Sequence, residues 1–204
     1  LIDSVDLTFD LDPARTGVTS RLKMRRNPDG KSGAALRLDG HDMELLKVTL
    51  NGEILGANRY LVDDTSLTLP EVPDAFDLEI ETRIDPSANT SLSGLYKSGA
   101  MLCTQCEAEG FRKITYFLDR PDVMATYRTT LVADKTQYPI LLSNGNPADT
   151  EDLGDGRHRA VWDDPFPKPA YLFALVAGDL AHLEDSFVTQ SKRTIPLRIY
   201  TEPR

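Results

Sequence analysis

The chain has 204 residues, 40% of them hydrophobic, enough to bury one sizeable core. Glycine and proline, 13 of each, stand near average usage, which excludes a fibrous or disordered polypeptide. A formal net charge of −9 argues against nucleic acid as a partner, and there is no polybasic segment for a membrane surface.

The chain starts at Leu1 rather than at an initiator Met, and its first thirty residues hold no signal-peptide core, so we read it as an excised piece of a longer polypeptide. Val5, Leu7, Phe9 and Leu11 alternate with Asp6, Thr8 and Asp10, the period of a half-buried strand. Asp29-Gly30 and Asp39-Gly40 mark turns. Asn51-Gly52 separates the apolar run Leu45 to Leu50 from Ile54-Leu55, and Asn-Gly is the strongest short hairpin signal. Phe76, Leu78, Ile80, Thr82 and Ile84 repeat the alternation.

Only Glu109 to Leu118 has helical spacing, with Phe111, Ile114, Thr115 and Leu118 at i, i+3, i+4 and i+7. Asp119-Arg120-Pro121 closes it, because the residue before a proline is turned away from the helical region. Asn144-Gly145 and Asp155-Gly156 supply further turns, and Trp162 alternates with polar neighbours as a core residue would. The prolines of Asp164-Pro165-Phe166-Pro167-Lys168-Pro169 predict a rigid loop between strands. Tyr171 to Ala177 is continuously apolar and predicts a strand covered on both faces. Ile195, Leu197 and Ile199 alternate once more. The fold class is therefore mainly β, a sandwich or large twisted sheets of ten or more strands with about one short helix near 109–118. Residues 1–204 read as a single domain.

Chemistry-bearing groups are few. His41, His158 and His182 lie far apart, and no Ser/His/Asp set, phosphate loop or His-Glu-x-x-His motif occurs. Cys103-Thr104-Gln105-Cys106 has the spacing of a zinc half-site or a redox dithiol. A second ligand pair and a βαβ context are both missing, so two ordinary thiols in a reducing compartment are expected. If the strand through Ala100 continues, Gln105 and Glu107 point to one side with Cys106 opposite, an acceptor pair suited to a cationic amine. Tyr116, Asp119 and Arg120 read as a packing and capping group.

Residues 91–96 (SLSGLY), 101–112 (MLCTQCEAEGFR) and 114–123 (ITYFLDRPDV) closely resemble the bacterial branch of the gluzincin metallo-aminopeptidases. The likeness resumes at 141–146 (LLSNGN), 164–169 (DPFPKP) and 171–179 (YLFALVAGD). The resemblance implies the saddle-like N-terminal β domain of a zinc enzyme that removes N-terminal residues from peptides. It implies a cytoplasmic protein whose zinc site lies in a following catalytic domain, the expected partner of this one. No metal is expected on this chain, no catalytic residue, and no peptidase activity from it alone. Matched residue by residue, Glu107 would pair with the α-ammonium of a peptide N-terminus and Gln105 would hydrogen-bond the first residue. The competing reading is a non-catalytic β-sandwich that binds peptide or carbohydrate. A single Trp and 7% aromatic residues count against carbohydrate platforms.

Overall fold

The long apolar–polar alternations become strands in the computed structural model, which describes residues 1–31 and 33–203. In chain order the strands are β1 (Ile2–Asp10), β2 (Thr16–Arg25), β3 (Leu36–Asp39), β4 (Glu44–Leu50), β5 (Glu53–Ile54), β6 (Leu61–Asp63), β7 (Ser66–Leu69) and β8 (Ala75–Ile84). They continue with β9 (Gly94–Ser98), β10 (Met101–Gln105), β11 (Ala125–Asp134), β12 (Ile140–Ser143), β13 (Asn146–Asp152), β14 (Arg157–Lys168) and β15 (Leu175–Gly178). A last pair, β16 (Ala181–Val188) and β17 (Thr194–Thr201), ends the chain.

Eight strands form the main sheet in the order β13-β14-β11-β1-β2-β8-β4-β5. Its pairs are antiparallel except β1 with β11, which run parallel from Ser4↔Thr126 to Asp10↔Val132. A four-stranded sheet (β12-β15-β10-β9) and a three-stranded sheet (β3-β7-β6) complete the body. All three sheets contribute to one contiguous core: Leu7, Phe9, Leu22 and Ile80 from the first, Leu102 and Ala177 from the second, Leu38 and Leu67 from the third. Period two explains the choice, since Val5, Leu7 and Phe9 are buried while their neighbours are not. A bulge between Ile2 and Ser4 brings Ile2 into the same core despite its offset. The Asn51-Gly52 hairpin forms as expected, both residues carrying the positive φ (50° and 82°) of a two-residue turn.

Three expectations change. The stretch 109–118 contains only the 3-10 turn Phe111–Lys113. Phe117 bonds Asp39 in both directions (N to O 3.0 Å, and 2.7 Å in return), and this bridge draws the chain out of helical register. Tyr171 to Ala177 is likewise not one strand: Ala170–Leu172 is a 3-10 turn, and β15 starts only at Leu175. The side chain of Asn144 interrupts it, donating to Leu172 O (3.0 Å) and accepting from Ala174 N (2.6 Å). The proline-rich segment is the end of β14 rather than a loop. β13 pairs only as far as Asp163, so Pro165 and Pro167 lie where that side carries no ladder bond to lose. Trp162 is half-buried against the core, with its Nε1 donating to Leu141 O (3.2 Å).

The β16–β17 hairpin pairs with no other strand among the described residues. Leu183 faces Ile199 and Asp185 faces Leu197 across it, and the large apolar side chains on this face stay exposed, Leu183 at 70% and Ile199 at 68%.

Candidate functional site

Gln105 and Glu107 sit where the second sheet gives way to a tight turn. β10 is held on both edges, by β9 from Met101↔Ser98 to Gln105↔Gly94 and by β15 at Leu102↔Ala177 and Cys103↔Val176. Thr104 fixes its end, its hydroxyl accepting from Leu175 N (2.9 Å). The strand stops at Gln105, so the expected extension to Glu107 does not occur. Residues 107–110 form a turn closed by Gly110 N to Cys106 O (2.8 Å), and the Glu107–Ala108 peptide bond is cis. The alternation of exposure survives all the same, with Gln105 and Glu107 exposed and Cys106 between them buried. Gln105 Nε2 donates to the backbone carbonyl of Glu107 (3.2 Å), tying the two together.

Below the turn the packing is close. Gly110 has ordinary helical-region backbone angles, so its requirement is for space. A Cβ there would collide with the Gln105 carbonyl, the Gly94 nitrogen and Ser93 Oγ. Phe111 is fully buried, its ring edge-on to Phe117 (4.8 Å between centroids) and to Phe173 (5.4 Å). Arg112 and Asp119 form an ion pair at 3.0 Å, with the carboxylate side chain only 2% exposed. The packing role expected of Tyr116 and Asp119 holds, both being buried, whereas Arg120 is an exposed partner of Asp122. Arg112 carried no sequence signal, because its partner lies seven residues away outside any helix.

Lys113 leaves the same 3-10 turn towards a depression of about 330 Å³ lined also by Asp42, Asn89, Ser91 and Leu95. Its ammonium is already engaged by Asp42 Oδ2 (2.8 Å) and Ser91 Oγ (3.2 Å). Cys103 and Cys106 are both free thiols. Among the described residues no group of three or more His, Cys, Asp or Glu side chains is arranged to hold a metal ion. Zinc therefore has no fitting ligand set among these residues.

Burial, reinforced by the Asp119 carboxylate, pushes the Cys106 thiol from its ordinary value near 9 up to about 12. Above the ordinary value the unfolded thiol releases its proton while the folded one keeps it, so stability falls as pH rises. The expected loss from this thiol is on the order of 1 kcal/mol between about pH 8 and about pH 10. Urea unfolding of the chain and of Cys106→Ala at both pH values checks this: the variant should lose less stability by that amount, and an identical loss would refute it.

Residues 3–172 match the peptidase M1 N-terminal domain. The chain belongs to the M1 N-terminal domain family. It is 52% identical to aminopeptidase N of Caulobacter vibrioides over 99% of its length and 51% identical to aminopeptidase N of Escherichia coli over 98%. It spans 23% of the length of each of those relatives. The structure superposes on Legionella pneumophila aminopeptidase A, solved in complex with aspartic acid, with a TM-score of 0.92 and 37% identity. That match covers 99% of this chain and 24% of the other. An M1 zinc metallopeptidase of Deinococcus radiodurans shares the fold at 15% identity and a TM-score of 0.80, covering 97% of this chain and 46% of its own. In this M1 N-terminal domain the hairpin β16–β17 lies beyond the family-matched residues. No helix among the described residues is long and apolar enough to cross a membrane.

Proposed function

We propose that residues 1–204 form the substrate-anchoring N-terminal domain of a zinc aminopeptidase, in which Glu107 binds the α-ammonium of a peptide and Gln105 hydrogen-bonds its first residue. The observation that carries this reading is the exposed Gln105–Glu107 pair on a turn packed rigidly from beneath. It occurs in a chain half identical to two bacterial aminopeptidases N.

A carboxylate covered by a second domain is costly unless a cation meets it. A peptide with a free terminus supplies that cation, and an internal or blocked amide leaves Glu107 unpaired, so exopeptidase selectivity follows from one placed charge. Zinc, the attacking water and the proton-transferring groups belong to the rest of the polypeptide in this reading, and residues 1–204 alone are inactive and bind no zinc. Two free thiols suit a reducing, cytoplasmic setting.

In the full-length polypeptide, Glu107→Gln is expected to lower kcat/KM for free-amine peptides roughly 10–150-fold, the equivalent of one charge-assisted hydrogen bond. Unchanged cleavage would overturn the assignment of Glu107.

A further inference from the structure

Glu107 is exposed and forms no ion pair among the described residues, so the backbone that carries it must aim it. The turn that carries it is short of bonds of its own: Gly110 N to Cys106 O closes it, and Gln105 Nε2 reaches Glu107 O. What fixes its far end is Arg112. Its backbone N–H (3.1 Å) and Nε (3.0 Å) both donate to Asp119 Oδ2, and an Nη2 hydrogen goes to the Asp119 backbone carbonyl (2.9 Å). The same Nη2 lies 3.4 Å from Glu109 Oε1, within the turn itself. The Arg112 carbonyl accepts from His41 N (2.9 Å), beyond the end of β3. One residue thus gathers bonds from the β3 end, the Asp119 segment and the turn.

A buried ion pair adds little net stability over apolar side chains of the same volume. Its distinguishing property is direction, since the guanidinium fork fixes both distance and angle. Desolvation acts in the same place: burial raises the pKa of Asp119, with Arg112 opposing it, and the Asp119 carboxylate is felt at Cys106, the residue between Gln105 and Glu107. Through Arg112, whose Nη2 also reaches Glu109, the buried carboxylate is tied to the turn that carries Glu107.

We propose that Asp119 and Arg112 are positioning residues that set the location of Glu107 relative to the substrate ammonium. This rests on the reading of Glu107 as the anchor. Weakening the pair lets the turn relax and lengthens the Glu107 contact without removing any group that touches substrate.

The test is a double-mutant cycle in the full-length polypeptide, with Asp119→Asn, Arg112→Lys and Glu107→Gln and a free-amine peptide substrate. Asp119→Asn keeps shape and an acceptor oxygen, and Arg112→Lys keeps the buried positive charge and so guards against loss of the fold. Each is expected to raise KM roughly tenfold, with kcat changed much less, as weakened ground-state binding requires. In the Glu107→Gln background neither should have a further effect, because the group they position is gone. A merely structural role predicts the opposite, a reduced folded fraction seen in kcat and the same penalty in both backgrounds; that result, or no rise in KM, overturns the proposal. If Glu107→Gln alone leaves cleavage unchanged, the anchor reading fails, and the positioning role fails with it.

Discussion

Replacing Phe111 with alanine is expected to destabilise the chain by about 3–5 kcal/mol, the cost of removing a fully buried aromatic ring. Phe111 is the hub of the aromatic cluster, touching Phe117, Phe173 and, at 6.3 Å, Tyr127. These partners come from the segment after the 3-10 turn, from the approach to β15 and from β11, so the cavity opens where all three sheets meet. Edge-on contacts worth about 0.5–1.5 kcal/mol each are lost with the transfer term. Urea unfolding measures the effect. Phe166→Ala is the control: that ring is 75% exposed and its loss should change stability by less than about 0.5 kcal/mol. Equal effects at the two positions would contradict the packing described.

The second large effect is expected at Gly110. Three added carbons in Gly110→Val meet two backbone groups, the Gln105 carbonyl and the Gly94 nitrogen, neither of which can rotate aside. Overpacking costs about 1–3 kcal/mol, and backbone walls place this case at or above the upper end. β9 and β10 must separate to accommodate the side chain, which moves Gln105 directly. Thermal unfolding should register the loss, and under the proposed anchoring role KM for free-amine peptides should rise in the full-length polypeptide. Gly17→Ala is the companion: its Cβ would lie 3.7 Å from the Asp10 side chain, an ordinary contact, so stability should hold or improve slightly. If Gly110→Val is as benign as Gly17→Ala, the close approach of β9, β10 and the turn is wrong.

The sheet strands were legible because their alternation answers to a simple requirement, one face in and one face out. β1, β8 and the Asn51-Gly52 hairpin follow from residue type alone. The segment 109–118 misled, because Phe111, Ile114, Thr115, Tyr116 and Phe117 are all buried, and apolar residues at helical spacing there answer to enclosure on several sides rather than to one helix face. A bridge to Asp39, some seventy-eight residues earlier, decided its conformation. Tyr171 to Ala177 failed for a related reason, since one asparagine from the β12–β13 turn took over two of its backbone groups. At the candidate site, Gln105 and Glu107 were visible as neighbouring acceptors and by resemblance. What supports them was not, because Arg112–Asp119 and Gly94–Gly110 become neighbours only once the chain has folded.

The parallel pairing of β1 with β11 governs how the molecule is made. β1 lies in the interior of the main sheet, between β2 and β11, yet its second neighbour starts more than a hundred residues later. At the usual pace of synthesis, about 5–20 residues per second, the first strand waits roughly 6–25 s for that neighbour to emerge. During this interval the antiparallel β1–β2–β8 part of the sheet presents Leu7 and Phe9 beside an unfilled hydrogen-bonding edge, the state in which β proteins are most exposed to misassembly. Once the strand arrives, closure must still pass over a long loop, which places folding in the slow, non-local class of milliseconds to seconds.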